Sequence, residues 1–484
     1  MKILFVAAEA APFAKVGGLA DVVGSLPRAL EESGHEVKII LPKHRQVDAI
    51  TWGLTRIIND WEISKPLPGL ELRFNAWRGT LPNSRVEVLF VENDHYFNRP
   101  EIYVENGKDY FDNAERFAFF CRAALGLAQG MGWKPDVIHC HDWQTALIPA
   151  YLKLFYQNEP FWKNIKTVFT IHNLAYQGVF GKEKLYTLGL PEWIYAPNYM
   201  EFWGNLNLMK AGLIFSDILT TVSPQYAREI QTPEFGYGLD GVMLEQKHKL
   251  HGIINGIDTH YWNPAHDKEL AATYHLNDLS GKKKNKKKLL QDNGLPITKA
   301  DVPVIGIISR LADQKGFDLI AQMANEILSM DLQMVVLGTG EPRYHEFFQA
   351  LHQKYPEKLA VNLKFDAYAA KMIYAGADLF LMPSKFEPCG LGQMIAMAYG
   401  SVPIVRETGG LSDSVEDFNT LTKEGTGFVF KDYSGEALLE AISRALDLYQ
   451  QKALWTVLVK NTLKSDFSWA SSAHKYIQIY GGTF

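Results

Sequence analysis

Two stretches of the chain combine cationic side chains with tight turns, as phosphate-binding loops do. In the first, Lys15-Val16-Gly17-Gly18, the glycines would let backbone N–H groups approach an anion, and Lys15 would add positive charge. In the second, Arg310 and Lys315 lie five positions apart in the run SRLADQKG. Two cations at that spacing suit the diphosphate of a nucleotide-sugar, whose charge grows as its glycosidic bond breaks. An ordinary glycine turn and a surface salt bridge are the alternatives for these stretches taken alone.

A carboxylate and two further glycine turns follow later in the chain. Glu387 precedes the run PCGLGQ, in which the amides near Leu391 and Gly392 could hold phosphate. Glu387 itself could bind sugar hydroxyls or stabilise a cationic sugar ring. A second turn of this kind is Thr408-Gly409-Gly410-Leu411. Two such turns in one half of the chain favour a phosphate site over mere loops.

Histidines close two apolar runs in the first half, in the string HCHDW and at His172-Asn173. We expect the rings of His139 and His141 to alternate between the two faces of a strand, which would make them poor ligands for one metal ion. No third ligand is evident, so the sequence predicts no metal site. His172 is either a structural histidine or a donor to a reacting sugar. The remaining residues of these runs offer the polar and aromatic surface that sugars favour: Asp142, Trp143 and Asn173.

Short apolar runs separated by helical patterns must position these residues, and such runs are typical of parallel sheets covered by helices. The runs of the first half are 3–8, 36–41, 86–92, 136–141, 167–172 and 218–223. Those of the second half are 302–309, 333–338, 359–365, 378–383, 402–407 and 427–430. Two successive series predict two Rossmann-like domains. Such sheets bind ligands beyond the carboxyl ends of their strands, where most of the residues above fall.

The two series are separated between residues 240 and 300, a span that contains Asn255-Gly256 and the lysine-rich run GKKKNKKK at 281–288. We interpret the lysine run as a solvated helix face in a surface insertion rather than as a patch for a polyanion. The C-terminal segment is amphipathic and predicts a final helix. By analogy with two-domain transferases, we expect that helix to return to the first domain.

Composition excludes several classes of protein. The 484 residues suffice for two or three domains, and 47% apolar with 21% charged residues is ordinary for a globular protein. A net charge of −5 argues against nucleic acid or an acidic membrane surface as the main partner. Three cysteines are too few for a disulfide framework and lack zinc-site spacing. The glycine pair that follows Lys15 fits neither the GxGxxG pattern nor a P-loop, which disfavours a nicotinamide-dependent dehydrogenase and ATP hydrolysis.

The sequence predicts neither a signal peptide nor a membrane-spanning segment. The N-terminal run MKILFVAAEAAPF leads into a glycine turn, so we interpret it as the first strand rather than as a signal peptide. No run approaches the roughly 18 uninterrupted apolar residues of a membrane span.

Seven strings together resemble the bacterial glycogen synthase and plant starch synthase family, glycosyltransferase family 5. They extend in order from residue 15 to residue 415 and are KVGGLADVVGSLP, HCHDWQTALIP, TIHNLAYQGVF, INGID, SRLADQKG, MPSKFEPCGLGQ and RETGGLSDSV. The resemblance implies the GT-B fold, in which two Rossmann-like α/β domains face each other across a cleft. It implies a retaining glucosyltransferase that moves glucose from ADP-glucose, with UDP-glucose as an alternative donor, to the non-reducing end of an α-1,4-glucan.

The resemblance also implies a domain division and a set of partners. We predict residues 1–254 as the acceptor-side domain, completed by a C-terminal helix at 465–484, and residues 255–464 as the nucleotide-sugar domain. The predicted partners are ADP or ADP-glucose and a glucan such as glycogen, starch or a maltooligosaccharide, with no metal or other cofactor, nucleic acid or membrane. The predicted location is the cytoplasm, with glucan granules or a plastid as alternatives.

Individual residues receive roles from the same resemblance. Arg310 and Lys315 should neutralise the leaving diphosphate, and His172 should lie at the C6 side of the sugar. The residues with implied catalytic roles are Lys15, His172, Arg310, Lys315 and Glu387. Those with implied nucleotide-sugar contacts are Gly17, Gly18, Asn255, Phe365, Cys389, Gly390, Leu391, Gly392 and Thr408. Those with implied acceptor contacts are Glu9, Asp21, Tyr96, Asp142, Trp143 and Asn173.

The chain departs from the family pattern at three positions. Phe365 stands where many bacterial members have a tyrosine that stacks on adenine, and it keeps the π face. Gly392 replaces the hydroxyl residue of a GLTQ-like string, so backbone amides would have to compensate. Ile395 occupies the place of the second glutamate of an E-x7-E pattern. That disfavours double displacement and favours a front-side route in which the leaving phosphate takes the acceptor proton.

Two other functions fit the sequence less well. A glucan-binding scaffold that had lost catalysis would not need the charged and carboxylate positions, which are all present. A paired-carboxylate glycosidase would leave the cations and glycine turns without a role.

Overall fold

A computed structural model of the chain describes residues 1–63, 73–297 and 301–482. The chain divides into two compact units. Unit 1 comprises Met1–Val222, Ala227–Gly256 and Trp469–Phe484, and unit 2 comprises Ser223–Tyr226 and Ile257–Ser468. The junctions after residues 256 and 468 lie two and four residues beyond the sequence-based borders after 254 and 464.

The described residues of unit 1 form fourteen strands, nine of which make up one large sheet. The strands are β1 (Lys2–Val6), β2 (Glu36–Pro42), β3 (Thr55–Glu62), β4 (Arg73–Thr80), β5 (Glu87–Glu92), β6 (Val104–Glu105), β7 (Lys108–Asp109), β8 (Val137–His141), β9 (Lys166–Ile171), β10 (Val179–Gly181), β11 (Glu201–Phe202), β12 (Asn205–Asn207), β13 (Ile218–Thr221) and β14 (Leu250–Gly252). The order in the large sheet is β14-β13-β9-β8-β1-β2-β5-β4-β3. Strands β10, β12 and β11 form a separate antiparallel sheet, and β6 and β7 form a hairpin.

Seven strands of the large sheet, from β14 to β5, are parallel. Their cores are continuous apolar runs, as in β1, whose residues Ile3–Val6 are all buried, and such runs suit a sheet covered on both faces. The chain proceeds from β1 to β2 and β5 on one side and then returns to β8 on the other. This reversal of direction between β1 and β8 makes their carboxyl ends the expected ligand-binding edge.

The antiparallel strands β3 and β4 were not predicted from the sequence. Strand β3 is polar and largely exposed, and β4 alternates buried and exposed positions because it has one solvated face. Residues 64–72, which follow β3, lie outside the described part of the chain.

The helices of unit 1 cover this sheet. They are α1 (Gly18–Glu32), α2 (Asp94–Phe97), α3 (Asn113–Gly130), α4 (Leu147–Tyr151), α5 (Lys184–Thr187), α6 (Leu208–Phe215), α7 (Pro224–Glu229) and α8 (Asp240–Glu245). The first three residues of α7 belong to unit 2. Short 3₁₀ turns occupy Trp143–Thr145, Glu192–Ile194 and Lys247–Lys249, and a π turn, Leu152–Tyr156, continues α4. Helix α1 packs its apolar face into the core with Ile3, Phe5 and Ile39 of the sheet.

Unit 2 is a six-stranded parallel sheet in the order β17-β16-β15-β18-β19-β20. Its strands are β15 (Val304–Ile308), β16 (Gln333–Leu337), β17 (Leu359–Asn362), β18 (Leu379–Met382), β19 (Val402–Arg406) and β20 (Phe428–Phe430). This is the 3-2-1-4-5-6 order of dinucleotide-binding sheets, with its switch point between β15 and β18. The sequence-based runs therefore predicted all six strands.

Helices and one 3₁₀ turn, Asp313–Lys315, connect these strands. The helices are α9 (Ser280–Asp292), α10 (Phe317–Gln322), α11 (Ala324–Ser329), α12 (Pro342–Lys354), α13 (Ala367–Gly376), α14 (Gly392–Ala398), α15 (Gly409–Ser414), α16 (Gly435–Gln450) and α17 (Lys452–Lys464). The helical segment between β15 and β16 is interrupted at Met323, between α10 and α11, where φ is −112°.

The lysine-rich run corresponds to α9, and its interpretation as a wholly solvated face was wrong. Lys282 is buried, and its Nζ donates to the carbonyls of Ala375 and Tyr399 at the ends of α13 and α14. Lys286 is also buried and forms an ion pair of 2.7 Å with Asp378. Two successive turns on one face of the helix therefore anchor it to the rest of unit 2, whereas Lys283, Lys284 and Lys287 remain exposed.

The last helix, α18 (Trp469–Gly481), belongs to unit 1. Its residues Trp469, Tyr476 and Ile479 pack into the same apolar core as α1. The Ser472 hydroxyl donates to the Ile254 carbonyl at 2.7 Å. The chain thus returns to the N-terminal sheet after unit 2. None of the helices described in the structure is long and apolar enough to span a membrane.

Candidate active site

The candidate residues of unit 1 follow strands β1, β8 and β9 at the carboxyl edge of the sheet. Glu9 and Lys15 come after β1, Asp142 after β8, and His172 after β9. Strands β8 and β1 are adjacent, as are β8 and β9. The strand order therefore brings residues that are more than 160 positions apart in sequence to one edge.

Glu9 is buried and organises the turn that follows β1. Its Oε2 accepts hydrogen bonds from the backbone N–H of Val16 at 2.5 Å and of Gly17 at 3.1 Å. Its Oε1 accepts one from the Tyr103 hydroxyl at 2.8 Å. Burial raises the pKa of Glu9, although these three hydrogen bonds oppose that shift. In this conformation the Gly17 N–H already donates to the Glu9 carboxylate, so its contact with a phosphate remains a prediction.

Lys15 and the glycines lie in an open part of this turn. The Nζ of Lys15 is 2.6 Å from Asp21 Oδ1, and its side chain is half exposed. A Cβ atom added at Gly17 or Gly18 would have no neighbour within 4 Å among the described atoms. Neither glycine has a positive φ. Internal packing therefore does not require glycine at these two positions.

Asp142 ties the ends of β8 and β9 together. Its Oδ1 accepts from the His172 backbone N–H at 2.8 Å, and the Asn173 N–H also donates to this carboxyl. Burial raises the pKa of Asp142 to about 8 in spite of these donors. Its backbone is held at φ 54°, an unfavourable region for a residue with a side chain. Backbone strain of this kind often accompanies functional sites.

Three buried imidazoles form a chain behind this edge. His172 Nε2 and His141 Nδ1 are 3.0 Å apart and share a hydrogen bond. His139 contacts the Tyr480 hydroxyl of α18 at 2.7 Å and Thr170 Oγ1 at 2.5 Å. Burial lowers the pKa of His172 to about 3 and the pKa values of His139 and His141 well below the ordinary range. All three rings are therefore neutral at pH 7.

The expectation that His139 and His141 occupy opposite faces was wrong. Their ring centroids are 4.3 Å apart, because residues two positions apart on a strand share a face. His141 Nε2 is buried without a hydrogen-bond partner among the described residues. Within the described part of the chain, no cluster of three or more His, Cys, Asp or Glu side chains could hold a metal ion.

Two predicted acceptor residues are mostly covered by protein. Tyr96 is 3% exposed, and its ring packs beside Phe119 with centroids 5.0 Å apart. Trp143 is 8% exposed and packs edge-on against Phe117. Neither ring offers a free face for a sugar. Sequence reasoning missed Tyr103, which contacts Glu9 and had no motif or spacing signal.

Asn255 is a buried side chain of unit 1 with an unused polar atom. It follows β14 and is 4% exposed. Its Oδ1 has no hydrogen-bond partner among the described residues. Because buried polar atoms are usually satisfied, this oxygen is available to a ligand. Asn173, which was also predicted, uses its Oδ1 to accept from the Ala175 N–H at 3.0 Å.

In unit 2, Arg310 and Lys315 follow β15, as predicted, but their surroundings differ. Lys315 Nζ is 2.6 Å from Glu387 Oε2, which also accepts from the Ser384 hydroxyl at 3.2 Å. Arg310 is exposed, and its guanidinium makes no hydrogen bond or ion pair with any residue that the structure describes. Arg310 is therefore the uncompensated cation at this strand end, whereas the charge of Lys315 is already matched.

The loop from Glu387 to Gly392 is held rigidly by backbone contacts. The Gly410 N–H donates to the carbonyls of Glu387 and Pro388. A Cβ atom at Gly410 would lie 2.1 Å from the Cys389 oxygen, so no side chain fits there. Gly390 has φ 71°, a conformation that favours glycine. Cys389 is 5% exposed and is not in a disulfide.

Gln393 is a further residue that sequence reasoning did not identify. It is fully buried, and its Nε2 donates to the carbonyls of Cys389 and Gly390. It therefore closes this loop onto the start of α14, next to Leu391, which caps that helix. Gly392 begins the helix, where an added Cβ would approach Phe380 to 3.2 Å.

Two predicted nucleotide contacts follow separate strands of unit 2, with three strands of the sheet between them. Phe365 follows β17, and its ring is 91% exposed. Thr408 follows β19 and precedes α15, and it is buried. The exposed phenyl face has the form that base stacking requires.

Comparison with known proteins gives the chain clear relatives. Residues 2–245 match the family described as starch synthase catalytic domain, and residues 295–456 match glycosyl transferases group 1. Glycogen synthase from Desulforudis audaxviator is 46% identical over 99% of this chain and 96% of its own length. Glycogen synthase from Thermotoga maritima is 46% identical over 99% of this chain and 98% of its own.

Solved structures show the same likeness. The catalytic domain of starch synthase IV from Arabidopsis thaliana, bound to ADP and acarbose, matches with a TM-score of 0.91, 39% identity and 99% of both chains covered. Sucrose-phosphate synthase from Thermosynechococcus elongatus matches with a TM-score of 0.60 at 18% identity, over 99% of this chain and 98% of its own, which is a likeness of fold alone.

Proposed function

The chain belongs to the glycogen synthase and starch synthase family, and from that membership we propose that it is a retaining glucosyltransferase using ADP-glucose and an α-1,4-glucan. Family membership makes it a glycosyltransferase of the GT-B fold. The identity of the donor, the stereochemistry and the roles of single residues belong to the proposal.

The observation that supports the donor site best is the unpaired guanidinium of Arg310. It lies at the carboxyl end of β15, the first strand of the 3-2-1-4-5-6 sheet, where such sheets bind their ligands. As the bond between glucose C1 and the diphosphate oxygen breaks, negative charge develops on the departing diphosphate. A cation without an internal partner can stabilise that charge without first breaking an ion pair.

Lys315 and Glu387 act as a pair in this proposal. Their 2.6 Å contact holds the Glu387 carboxylate at the same strand end as Arg310. Glu387 would accept hydrogen bonds from glucose hydroxyls, and Lys315 would direct its remaining N–H groups to the diphosphate. The rigid loop at Gly390 and Gly410 keeps this carboxylate in place.

Adenine recognition is assigned to Phe365. Its exposed ring provides a flat apolar face at the end of β17, and adenine stacks on such faces. A base that stacks does not have to be read by hydrogen bonds, so UDP-glucose is the competitor that any assay must include. The Arabidopsis relative was solved with ADP.

Residues of unit 1 would act on the sugar and the acceptor. His172 is neutral because its pKa is near 3, so it would donate or accept a hydrogen bond rather than supply charge. Glu9 and Asp142 would accept from acceptor hydroxyls. The open space at Gly17 and Gly18 would let the backbone of this turn approach the donor.

Retention is assigned to a front-side reaction. The acceptor hydroxyl attacks C1 on the face from which the diphosphate leaves, and its proton passes to the leaving phosphate oxygen. A double displacement would need a second carboxylate, and the corresponding position is Ile395, which is buried and apolar. The net result is a new glycosidic bond, free ADP and one transferred proton.

The test is transfer of radiolabelled glucose to glycogen by the purified protein. ADP-, UDP- and GDP-glucose are supplied separately, with and without EDTA. We expect ADP-glucose to label the polymer most efficiently and EDTA to have no effect, because no metal takes part in the proposed chemistry. Absence of labelling from every donor would refute the proposed activity, and preferential labelling from UDP-glucose would refute the donor assignment.

A further inference from the structure

Two turns of unit 1 place aromatic residues in the left-handed backbone region. Trp203 has φ 51° and is followed by Gly204 with φ 80°, and these two residues join β11 to β12. Tyr237 also has φ 51° and is followed by Gly238 with φ 80°. Two-residue hairpin turns of this geometry strongly prefer Asn-Gly, because asparagine tolerates a positive φ better than bulky residues do.

The same chain uses the preferred sequence elsewhere. The hairpin between β6 and β7 turns at Asn106-Gly107, with φ values of 51° and 77°. The backbone of the Trp203 turn is therefore nearly the same, but its first residue is a poor choice for folding. Trp203 gains little packing in return, because it is 81% exposed. A residue that opposes its local backbone preference and stays exposed indicates a role outside the fold.

The two aromatic turns are neighbours. An added Cβ at Gly238 would lie 3.1 Å from the Phe202 ring and 3.4 Å from Trp203 Nε1. Tyr176, which is 53% exposed, is close enough to Tyr237 that its hydroxyl contributes to the raised pKa of Tyr237, after the larger effect of burial. The exposed rings of Tyr176, Trp203 and Tyr237 thus form one surface, here called the aromatic surface.

The aromatic surface is continuous with the candidate acceptor residues. The Tyr176 N–H donates to the Asn173 carbonyl at 3.2 Å. Gln177, the next residue, donates from Nε2 to the Tyr237 carbonyl at 3.1 Å. One short loop therefore leads from the carboxyl end of β9 to the aromatic surface.

Its chemistry suits a neutral polyol. Tyrosine and tryptophan combine an apolar face with a hydrogen-bonding edge, as a sugar ring combines C–H faces with hydroxyls. The carboxylate of Glu201 accepts from the Gly204 N–H at 2.7 Å and so adds negative charge at the Trp203 turn. The ammonium of Lys210, which donates to the Glu201 carbonyl at 2.7 Å, offsets that charge, so the turn suits an uncharged ligand such as a glucan.

We propose that the aromatic surface binds the glucan chain beyond the acceptor residues and so gives the protein its affinity for long acceptors. This inference rests on the proposed function for the identity of the sugar. It assigns Tyr176, Trp203 and Tyr237 a binding role that is separate from the transfer reaction.

The test measures glycogen binding in the absence of any nucleotide-sugar, by mobility in native gels that contain graded glycogen. Trp203→Asn removes the ring and installs the Asn-Gly pair that the turn prefers. We expect glycogen affinity to fall roughly three- to tenfold, since one aromatic stacking contact is lost. The melting temperature should stay the same or rise, which a merely structural tryptophan would not permit. Tyr237→Asn should behave in the same way.

Trp133→Ala is the matched control. Trp133 lies near Lys2 at the amino end of β1, the opposite edge of the sheet, and its Nε1 donates to Glu36. This variant should bind glycogen as the parent does. Parental affinity in Trp203→Asn, or an equal loss in Trp133→Ala, would overturn the proposal. If the parent transfers glucose from no donor while Trp203→Asn still loses glycogen affinity, the proposed reaction fails and the binding surface stands.

Discussion

Arg310 and Lys315 have the same formal charge but different electrostatic surroundings. Lys315 is held 2.6 Å from a carboxylate, whereas Arg310 has no ion-pair partner among the described residues. An ion pair presents little net charge to an approaching anion. The departing diphosphate should therefore depend more on Arg310 than on Lys315.

Replacement of Arg310 tests this difference. Arg310→Ala should lower kcat by about 10²–10³-fold, since a preorganised group that stabilises developing charge is lost. Glycogen affinity should change little, because Arg310 belongs to the donor side. Arg310→Lys should recover part of the rate as a point charge. Steady-state kinetics with ADP-glucose would measure both values.

Arg444→Ala is the control for this experiment. Arg444 is paired with Asp417 at 2.8 Å and has no role in the proposed reaction. Its removal should leave kcat at the parental value. A parental kcat in Arg310→Ala would remove this residue from the mechanism.

At the scale of single residues, the sequence predicted where the candidate residues lie in the fold better than it predicted their contacts and burial. Cations, carboxylates and glycine turns lie at strand ends as expected, because parallel sheets place loops there. Which partner each side chain takes could not be predicted. The contact of Glu9 with Tyr103 joins residues 94 positions apart. The burial of Tyr96 depends on Phe119 of α3, which no local pattern reveals.

At the scale of elements, the predicted phosphate turns at Gly18 and Gly410 differ in why a side chain is absent. Gly410 touches the backbone of Cys389, whereas Gly18 has open space around its missing side chain. The first reason is structural. The second is what we expect where a ligand approaches the backbone.

Paired alanine substitutions separate these reasons. Gly18→Ala should keep the free energy of unfolding or raise it by up to about 1 kcal/mol, because the position tolerates a Cβ within a helix. Its KM for ADP-glucose should nevertheless rise roughly tenfold, since a hydrogen bond from the backbone to the donor is obstructed. Gly410→Ala should lower the free energy of unfolding by at least about 2 kcal/mol. Urea denaturation and steady-state kinetics would measure these effects, and an unchanged KM in Gly18→Ala would contradict a donor contact there.

Helix α9 owes its position to two buried lysines. Lys286 is paired with Asp378 in surroundings that are about nine-tenths buried, so its removal would leave a buried carboxylate without its partner. Lys286→Ala should therefore lower the free energy of unfolding by about 3–5 kcal/mol. Lys287→Ala, one position along and exposed, should change it by less than about 0.5 kcal/mol. Equal effects of the two substitutions on urea denaturation would show that α9 is not anchored in this way.

Strands and helices of the parallel sheets were predictable because their apolar runs are long and bounded by turns. The β3–β4 hairpin was not, since a solvated antiparallel strand such as β3 has little apolar signal. Helix α9 was misinterpreted for the opposite reason. A lysine run indicates solvent by composition, yet Lys282 and Lys286 find carbonyls and a carboxylate to pair with.

At the scale of the whole molecule, buried neutral histidines determine how the free energy of unfolding changes at acidic pH. Burial lowers the pKa of His44 to about 4 and that of His172 to about 3, and it also lowers the pKa values of His139 and His141 well below the ordinary range. Unfolding restores ordinary values near 6.5, so the unfolded chain binds more protons below that pH. Asp142 opposes this trend, because its pKa of about 8 makes the folded state hold a proton.

The free energy of unfolding should therefore fall as pH decreases from 6.5 toward 4. Each buried histidine contributes about 1.4 kcal/mol per pH unit at most, and Asp142 offsets about one of them. Urea denaturation at pH 7.5, 6 and 5 would show the trend. His44→Gln, which keeps a side-chain donor for the Ala8 carbonyl, should reduce the dependence of the free energy of unfolding on pH. Stability that is constant or rises across this range would mean that these histidines are not held neutral.

We propose above all that this chain moves glucose from ADP-glucose to a glucan with retention. Proton NMR of the protein with ADP-glucose and maltoheptaose follows donor, product and configuration in one sample. We predict that the donor's anomeric signal decays as an α-1,4 signal and free ADP appear in equal amounts. A β-linked product, or free glucose with no lengthened chain, would contradict the account.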